Sequence, residues 1–401
     1  MTQNLKLKLK MSVRTPFYYY DLALLENTLQ SMTEAVTNPN FKVHYAIKAN
    51  AEDRILQTIK DHGLGADCVS GNEIKKALEI GFEPQDIVLA GIGKSDEELD
   101  LAISHGIHSI NCESIEELEV INEIAERHNA IANIAFRINP NVDAQTHHKI
   151  TTGLNENKFG IPITELDAAV DEILQHKNLA LKGIHFHIGS QILSLNPFAN
   201  LCQQANNVID NLKARGIFLE HINVGGGLGI NYTDPDAQLI PNFIEYFKVF
   251  EKFLRLEKGQ TVHFELGRSI VGQAGSLISK VLYVKKGANS NFAIIDAGMT
   301  DLMRPALYNA FHKIENLTKD GNNESYHVVG PICESSDTFG KTDLPKTSRG
   351  DFLMIRSAGA YGQVLSSNYN LRDRAESIYS DDTTLEEYIS NSKEVLEEQA
   401  F

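Results

Sequence analysis

The chain has 401 residues, 53 of them acidic and 37 basic, so its formal net charge is -16. This negative charge argues against nucleic acid or an anionic membrane as the main partner, because both carry charge of the same sign. A hydrophobic fraction of 42% is ordinary for a soluble globular protein. No apolar run approaches the roughly 18 residues that a membrane span needs.

The first residues and the cysteines bear on the compartment. The stretch MTQNLKLKLKMSV has no uninterrupted apolar segment, so it does not resemble a secretory signal, and its alternation of Leu and Lys predicts an edge strand. The cysteines have neither disulfide nor metal-ligand spacing; they are Cys68, Cys112, Cys202 and Cys333. We therefore expect a reduced, cytoplasmic compartment and no bound metal.

Short apolar segments, each followed by a helical pattern, recur along the chain. They are 42–49, 65–70, 86–92, 108–113, 133–139, 182–189, 221–229 and 262–269. Between them, 95–106 and 114–129 each open with Ser followed three residues later by Glu, a capping box that predicts the start of a helix. Eight strands alternating with helices predict a (β/α)8 barrel. A doubly wound open sheet is the alternative, but no nucleotide-binding GxGxxG follows the first strand.

The pattern changes after about residue 270. Segments such as SLISKVLYVKK, NFAIIDAG and DFLMIRSAGAYG predict strands separated by turn-rich loops, with little helix. We therefore predict a barrel domain over 17–268 and a mainly β domain over 269–401. The N-terminal strand, 1–16, is expected to join the second domain.

Unusual polar residues come at the ends of several predicted barrel strands, where the functional site of this fold lies. Lys48 ends the first strand, although lysines are rarely buried without a partner. His187 ends the sixth, and Glu265 and Arg268 end the eighth. The glycine run at 224–229 ends the seventh, where barrels often hold a phosphate, since glycine lets backbone N–H groups surround an anion.

A lysine, a phosphate-binding loop and a carboxylate at one rim together suggest pyridoxal 5′-phosphate as a cofactor. The lysine amine would bond to its aldehyde, and the carboxylate would keep its ring nitrogen protonated. Each residue alone also has a simpler interpretation. Lys48 could be a salt-bridged structural lysine, His187 a satisfied core histidine, and Glu265 with Arg268 a local ion pair.

Nine stretches resemble the diaminopimelate decarboxylase family, part of the alanine-racemase-like class of pyridoxal-phosphate enzymes. They are YAIKAN (45–50), GADCVSGNE (65–73), NKFGI (157–161), HFHIGSQI (185–192), VGGGLG (224–229), ELGRS (265–269), DAGMTDLMRPALYNAFHKI (296–314), GPICESSD (330–337) and AGAYG (358–362). The resemblance implies a cofactor-bearing barrel, a C-terminal β-barrel domain, and a head-to-tail homodimer with sites shared between subunits. It also implies conversion of meso-diaminopimelate to L-lysine and CO2, the last step of lysine biosynthesis.

The resemblance also implies roles for single residues at the cofactor. Lys48 resembles the lysine that bonds to the cofactor aldehyde, and His187 resembles the residue that stacks on the pyridine ring. Glu265 resembles the partner of the pyridine nitrogen. Further cofactor contacts are implied for Gly226, Gly227, Gly267, Arg268 and Tyr361.

Substrate contacts are implied in the same way. A clamp on the carboxylate that the substrate retains is implied at Arg268, Arg304 and Tyr308. Arginine suits this role because its planar fork pairs with a carboxylate through two parallel hydrogen bonds. Cys333 resembles a catalytic proton donor and Glu334 a partner of the distal ammonium, both lent by the second subunit. Tyr361 resembles a contact to both phosphate and substrate.

Without the resemblance, Cys333 would read as a small buried hydrophobe and Arg304 as a surface ion pair. One departure from the family is clear: its usual Glu-Pro-Gly-Arg is here Glu-Leu-Gly-Arg, with Leu266 in place of proline. The loop therefore lacks the φ restriction of proline but keeps the carboxylate and the guanidinium.

Three other functions stay open at this point. A related decarboxylase acting on ornithine, arginine or carboxynorspermidine would share the cofactor residues, but it would have no use for Arg304 beside Arg268. The ornithine enzymes also carry Cys-Asp where this chain has Cys333-Glu334. A racemase would need a second catalytic base in place of the PICES loop. A non-catalytic regulatory homologue would be expected to lack Lys48 or Cys333, and both are present.

Overall fold

The computed structural model describes residues 14–140, 158–287 and 290–381. The edge strand predicted for the first residues lies outside these ranges. The strands are β1 (Phe17–Tyr20), β2 (Phe41–Ala46), β3 (Gly65–Cys68), β4 (Ile87–Leu89), β5 (Ser109–Cys112), β6 (Ala132–Asn139), β7 (Ile161–Pro162), β8 (Leu179–His185), β9 (His221–Asn223), β10 (Thr261–Leu266), β11 (Gly275–Lys286), β12 (Asn291–Ile295), β13 (Ile314–Asn316), β14 (Asn323–Val329), β15 (Thr338–Pro345), β16 (Phe352–Ile355) and β17 (Glu376–Tyr379).

The α-helices alternate with the first of these strands and become rare afterwards. They are α1 (Leu22–Ala35), α2 (Asp53–Asp61), α3 (Gly71–Ile80), α4 (Asp96–His105), α5 (Glu116–Arg127), α6 (Leu166–Ile173), α7 (Asn196–Ala214), α8 (Phe243–Phe253), α9 (Arg268–Val271) and α10 (Arg304–Tyr308). None of the helices in the described ranges is both long and apolar enough to cross a membrane.

Eight parallel strands close into a barrel. Their order around the ring is β2-β3-β4-β5-β6-β8-β9-β10, and β10 pairs with β2 to complete it. These strands overlap the eight predicted apolar segments. The (β/α)8 prediction is therefore confirmed, and the open-sheet alternative is wrong.

One of the two predicted capping boxes is present and the other is not. Helix α4 begins as predicted, because the Ser95 side chain and the carboxylate three residues later form a capping box. The capping box predicted at Ser114 is wrong: helix α5 follows Ile115, whose side chain makes no capping bond. The carboxylate of Glu117, which the capping box would have used, accepts a hydrogen bond from Lys94 at 3.1 Å.

Strand β10 shows how the barrel directs polar side chains inward. Phe264 faces outward and packs on helix α8, its ring centre 4.9 Å from that of Phe247 and 5.0 Å from that of Phe250. His263 and Glu265 flank it in sequence and so point into the barrel, since successive side chains of a strand face opposite ways. The outward aromatic packing therefore fixes the direction of Glu265.

The chain divides into two compact units. One consists of Thr28–Gly229 and Ile240–Ser269, and the other of Met1–Asn27, Ile230–Leu239 and Ile270–Phe401. Two segments that the predicted ranges placed in the barrel group with the second unit. Strand β1 does so because it pairs antiparallel with β11 and parallel with β17. Segment Ile230–Leu239 does so in part because the Gln273 side chain donates to two of its carbonyl oxygens.

The second unit is mainly β, as predicted. Its sheet runs in the order β13-β16-β11-β12-β14-β15, with β1 and β17 added through β11. One hydrophobic cluster between these strands consists of Phe17, Ile278, Leu317, Met354 and Ile378. Strand β1 thus contributes a core residue to this unit as well as its hydrogen bonds.

Candidate active site

Lys48 follows strand β2 in the short 3-10 helix Ile47–Ala49. Its Nζ lies 3.4 Å from Oδ2 of Asp67, at the end of the neighbouring strand β3. The Lys48 side chain is 38% exposed, whereas that of Asp67 is fully buried. The salt bridge of the simpler interpretation is therefore present, but it holds a lysine that opens onto a cavity.

The cavity has a volume of about 430 Å³, which suits a small-molecule ligand. It belongs to the barrel unit alone. Its walls are Lys48, Val69, Ala90, Gly91, Ile92, Gly93, Lys94, Arg137, Phe159, His185, His187 and Glu265. Three predicted site residues, Lys48, His187 and Glu265, thus share one cavity.

Glu265 is buried and held by three donors. It accepts hydrogen bonds from Asn223 Nδ2 at 2.7 Å, from His185 Nε2 at 3.0 Å and from Asn111 Nδ2 at 3.4 Å. Burial alone would raise the pKa of this carboxyl, but His185 and Lys48 outweigh it and hold the pKa below its usual range. Glu265 is therefore an ionised carboxylate fixed in position.

Asp67 has the opposite electrostatic character. Burial raises its pKa to about 6, the charge of Glu265 adds to the rise, and Lys48 opposes it. Its Oδ1 is buried and has no hydrogen-bond partner among the described residues. Two carboxyl groups beside one lysine therefore titrate in different pH ranges.

His187 is neutral at physiological pH. Burial is the largest cause that lowers its pKa, to about 3, and the cations Arg137 and Lys48 lower it further. Its Nδ1 accepts the main-chain N–H of Gly226 at 3.3 Å. This bond ties the ring to the glycine loop and leaves a flat, uncharged surface at the cavity.

The glycine loop after β9 lies too close to its neighbours to carry side chains. A Cβ on Gly226 would overlap the main-chain carbonyl oxygen of Glu265, and one on Gly227 would lie 2.6 Å from the carbonyl oxygen of Gly189. Gly227 also has φ of +108°, a region that favours glycine. The loop thus forms a cradle of bare backbone, as phosphate-binding loops do.

The end of β10 also packs closely on the segment of Lys48. A Cβ on Gly267 would lie 3.0 Å from that of Ala49. Leu266, which replaces the family's proline, is buried in the core. The next residue but one, Arg268, donates to the Ser190 hydroxyl at 3.0 Å.

The remaining predicted residues belong to the second unit. Arg304 is buried and Cys333 is exposed, so the interpretations of a surface ion pair and of a small buried hydrophobe are both wrong. Glu334 is exposed and accepts a hydrogen bond from the Tyr369 hydroxyl at 2.8 Å. Tyr308 and Tyr361 are half-buried, and Tyr361 has a left-handed φ of +56°.

Sequence reasoning missed several polar residues that line the cavity or contact Lys48 or Glu265. These are Asp67, Asn111, Arg137, His185 and Asn223. Arg137 donates to Glu113 at 2.5 Å, and its guanidinium carbon lies 4.7 Å from the ring centre of Phe159. For three of them a signal was available: Asp67, Arg137 and His185 are titratable residues in barrel strands, and HFH places His185 and His187 on one face. No group of side chains in the described part of the chain is arranged to hold a metal ion.

Comparison with known proteins identifies the family of this chain. Residues 22–272 match the model described as pyridoxal-dependent decarboxylase, pyridoxal binding domain. The chain belongs to the pyridoxal-dependent decarboxylases. Its cofactor is pyridoxal 5′-phosphate, and the cavity fits it: an amine, an ionised buried carboxylate and a bare-backbone cradle all occur in the barrel unit.

Similar proteins within this family show which kind of decarboxylase the chain resembles. A protein of Bacteroides thetaiotaomicron named diaminopimelate decarboxylase is 55% identical, and the match covers 92% of this chain and 97% of that protein. Another of that name, from Neisseria meningitidis, is 40% identical over 96% of this chain and 92% of its own length. The resemblance to diaminopimelate decarboxylases is therefore confirmed.

A solved structure agrees with the fold. Diaminopimelate decarboxylase from Helicobacter pylori, complexed with L-lysine, superposes with a TM-score of 0.87 at 38% identity. The match covers 97% of this chain and 98% of that one.

Proposed function

We propose that this chain removes CO2 from meso-diaminopimelate to give L-lysine, the last step of lysine biosynthesis. The observation that carries the proposal is the cavity in which Lys48 and ionised Glu265 meet beside the glycine loop. It occurs in a chain 55% identical to a protein named diaminopimelate decarboxylase. The Helicobacter pylori relative, solved with L-lysine, supports the same product.

At the cofactor, each residue of the barrel has one task. The bound cofactor supplies a sink for the electrons that CO2 leaves behind. Lys48 would hold the cofactor through its aldehyde, and its amine would be the group that frees the product. Glu265 would accept the pyridine N–H, and its three protein donors keep it ionised and oriented. His187 would stack its neutral ring on the pyridine, and Gly226 and Gly227 would surround the phosphate.

At the substrate, the residues recognise charge. Arg268, Arg304 and Tyr308 bind the carboxylate that stays. Tyr361 contacts both cofactor and substrate, and Gly267 contacts the cofactor. Glu334 binds the distal ammonium, and Cys333 donates a proton to the carbon that has lost CO2. We infer that Cys333 and Glu334 serve the barrel of a second subunit in a homodimer, and their exposure supports this. We also infer a cytoplasmic location, which the absence of bonded cysteine pairs among the described residues supports.

A substrate panel tests the proposal. Holoenzyme is incubated separately with meso-diaminopimelate, ornithine, arginine and L-lysine, and released CO2 and amine products are measured. We expect CO2 and L-lysine in equal amounts from diaminopimelate, and turnover of the other three at least about 100-fold slower, as loss of a buried charge partner predicts. Lys48→Ala is the control and should release no CO2. Faster turnover of ornithine or arginine would assign the chain to another decarboxylase.

A further inference from the structure

Arg304 belongs to a packed group of three side chains in the second unit. Its Nη1 lies 2.7 Å from Nε2 of His312. Its guanidinium carbon lies 4.6 Å from the ring centre of Tyr232, and the rings of Tyr232 and His312 meet edge to face at 5.0 Å. All three residues are buried. The His312 ring thus contacts the edge of the guanidinium, and the Tyr232 ring contacts its face.

The hydrogen bonds of His312 fix its tautomer. Its Nδ1 lies 2.8 Å from the main-chain carbonyl oxygen of Arg356, which can only accept, so Nδ1 carries the proton. Nε2 therefore keeps a lone pair and accepts the Arg304 N–H. Only the neutral imidazole can make both bonds, since the protonated ring has no acceptor.

Both of these contacts to the guanidinium come from uncharged rings. A carboxylate in place of the imidazole would hold Arg304 as firmly, but it would compete with a substrate carboxylate for the same donors. The bond to His312 uses one of five N–H donors. We propose that His312, with Tyr232, is a positioning residue that aims Arg304 at the carboxylate the substrate retains. This inference rests on the proposed function of Arg304.

Two substitutions of His312 separate its two hydrogen bonds. In His312→Asn the amide nitrogen can still donate to the Arg356 carbonyl, but the side chain is too short to accept from Arg304. In His312→Gln an amide oxygen reaches the place of Nε2 and restores the acceptor. The matched control is His327→Asn in β14, a half-buried histidine of the same unit that stacks on Phe292 with ring centres 5.5 Å apart.

The ligands are L-lysine, which carries the retained carboxylate, and 1,5-diaminopentane, which is the same chain without it. Binding to holoenzyme is measured by calorimetry. We expect His312→Asn to weaken L-lysine binding about tenfold, as loss of a hydrogen bond to a charged group predicts, and to change diaminopentane binding less than about twofold. His312→Gln should recover most of the L-lysine affinity, and His327→Asn should match wild type. The KM for diaminopimelate should rise more than kcat falls.

Equal weakening of both ligands by His312→Asn, or no rescue by His312→Gln, would overturn the inference and leave His312 a packing residue. If His312→Asn does not fold, Tyr232→Leu decides: loss of the ring face should weaken L-lysine alone, and an unchanged affinity would refute the positioning role. Arg304→Ala distinguishes failure of the proposed carboxylate clamp from failure of the positioning role of His312. If it leaves L-lysine binding intact, the proposed carboxylate clamp is wrong; if it weakens binding while His312→Asn does not, only the present inference fails.

Discussion

At the scale of single residues, Glu265 and Asp67 illustrate how surroundings assign different charges to like groups. Glu265 receives three hydrogen bonds and stays ionised, whereas Asp67 has one buried oxygen without a partner in the described ranges. Lys48 lies beside Asp67 at 3.4 Å, and burial outweighs its attraction. The site thus keeps an ionised Asp67 at a cost in folding free energy.

We predict that Asp67→Asn stabilises the fold at alkaline pH. The folded-state pKa of about 6 exceeds the reference value of 3.8. Between those pH values the folded state binds more protons than the unfolded state, so wild-type stability falls as pH rises through this window. Asn cannot titrate, so its advantage should be small near pH 4, grow to about pH 6 and stay level above it. Denaturant unfolding of both proteins at pH 4.5 and 8 measures this, and an advantage that shrinks with rising pH would contradict the prediction.

The residues that sequence reasoning found and missed differ in a physical way. Lys48 and His187 could be predicted because a charged or titratable residue at the end of an apolar strand is conspicuous. Asn111 and Asn223 could not be predicted, because the sequence does not show whether a polar residue inside a strand faces solvent or the core. Their importance comes from contact with Glu265, which lies 154 and 42 residues away along the chain.

At the scale of elements, the loop after β9 depends on the absence of side chains. Gly226 lies against the backbone of β10, which cannot move aside. Gly93 lines the cavity of Lys48, and a Cβ on it would meet no heavy atom within 4 Å. The two glycines therefore form a matched pair.

We predict that Gly226→Ala lowers the free energy of unfolding by about 1–3 kcal/mol, as overpacking does, and weakens pyridoxal 5′-phosphate binding. Gly93→Ala should change both quantities little. Denaturant unfolding of the apoenzymes and cofactor titration measure the two effects. Similar behaviour of the two variants would show that the loop can shift, and the close approach would not matter.

A second element-scale feature is a stack of histidines inside the barrel. His263 lies between the others, its ring centre 4.9 Å from His44, 4.8 Å from His108 and 5.0 Å from His221. Burial is the largest cause that lowers the pKa of each ring, to about 4 for His44 and about 3 for His221. The stack is therefore neutral in the folded protein at pH values where free imidazole is charged.

We predict that this stack makes the fold sensitive to acid. Below about pH 6.5 the unfolded state takes up protons that the folded state excludes, so stability is fully present above that pH and falls as pH decreases. Each such histidine contributes a slope of up to about 1.4 kcal/mol per pH unit. His221→Leu should reduce the slope of unfolding free energy between pH 4.5 and 6.5. The exposed His105, changed in the same way, is the control, and an unchanged slope in His221→Leu would contradict the prediction.

At the scale of the whole molecule, the sequence patterns predicted the barrel but not which segments of the chain belong to each unit. Eight strands could be counted because each leaves a local apolar signature. The grouping of β1 and Ile230–Leu239 with the second unit leaves no such local signature and could not be predicted. For β1 it depends on pairing with β11 and β17, more than 250 residues away along the chain. For Ile230–Leu239 it depends in part on hydrogen bonds from the Gln273 side chain.

The proposed shared site leads to a prediction about mixed subunits. If one chain supplies Lys48 and its partner supplies Cys333 and Glu334, then inactive Lys48→Ala and inactive Glu334→Ala subunits should restore activity when mixed. In a mixed dimer one site collects both changes and the other collects neither. Random re-pairing makes about half the dimers mixed, each with one intact site of two, so recovery should approach ~25% of wild type for a twofold assembly.

The matched control mixes Lys48→Ala with Glu265→Ala, both in the barrel unit. Every site in these mixtures keeps one change, because both residues of a site come from the same chain, so no activity should return. Exchange of subunits must be established by tagging one variant and recovering the other with it. With exchange established, zero recovery in the Lys48→Ala and Glu334→Ala mixture would mean that GPICESSD serves the barrel of its own chain. Recovery in that mixture alone would require a site built from two subunits, since only a second chain can join an intact Lys48 to an intact Glu334.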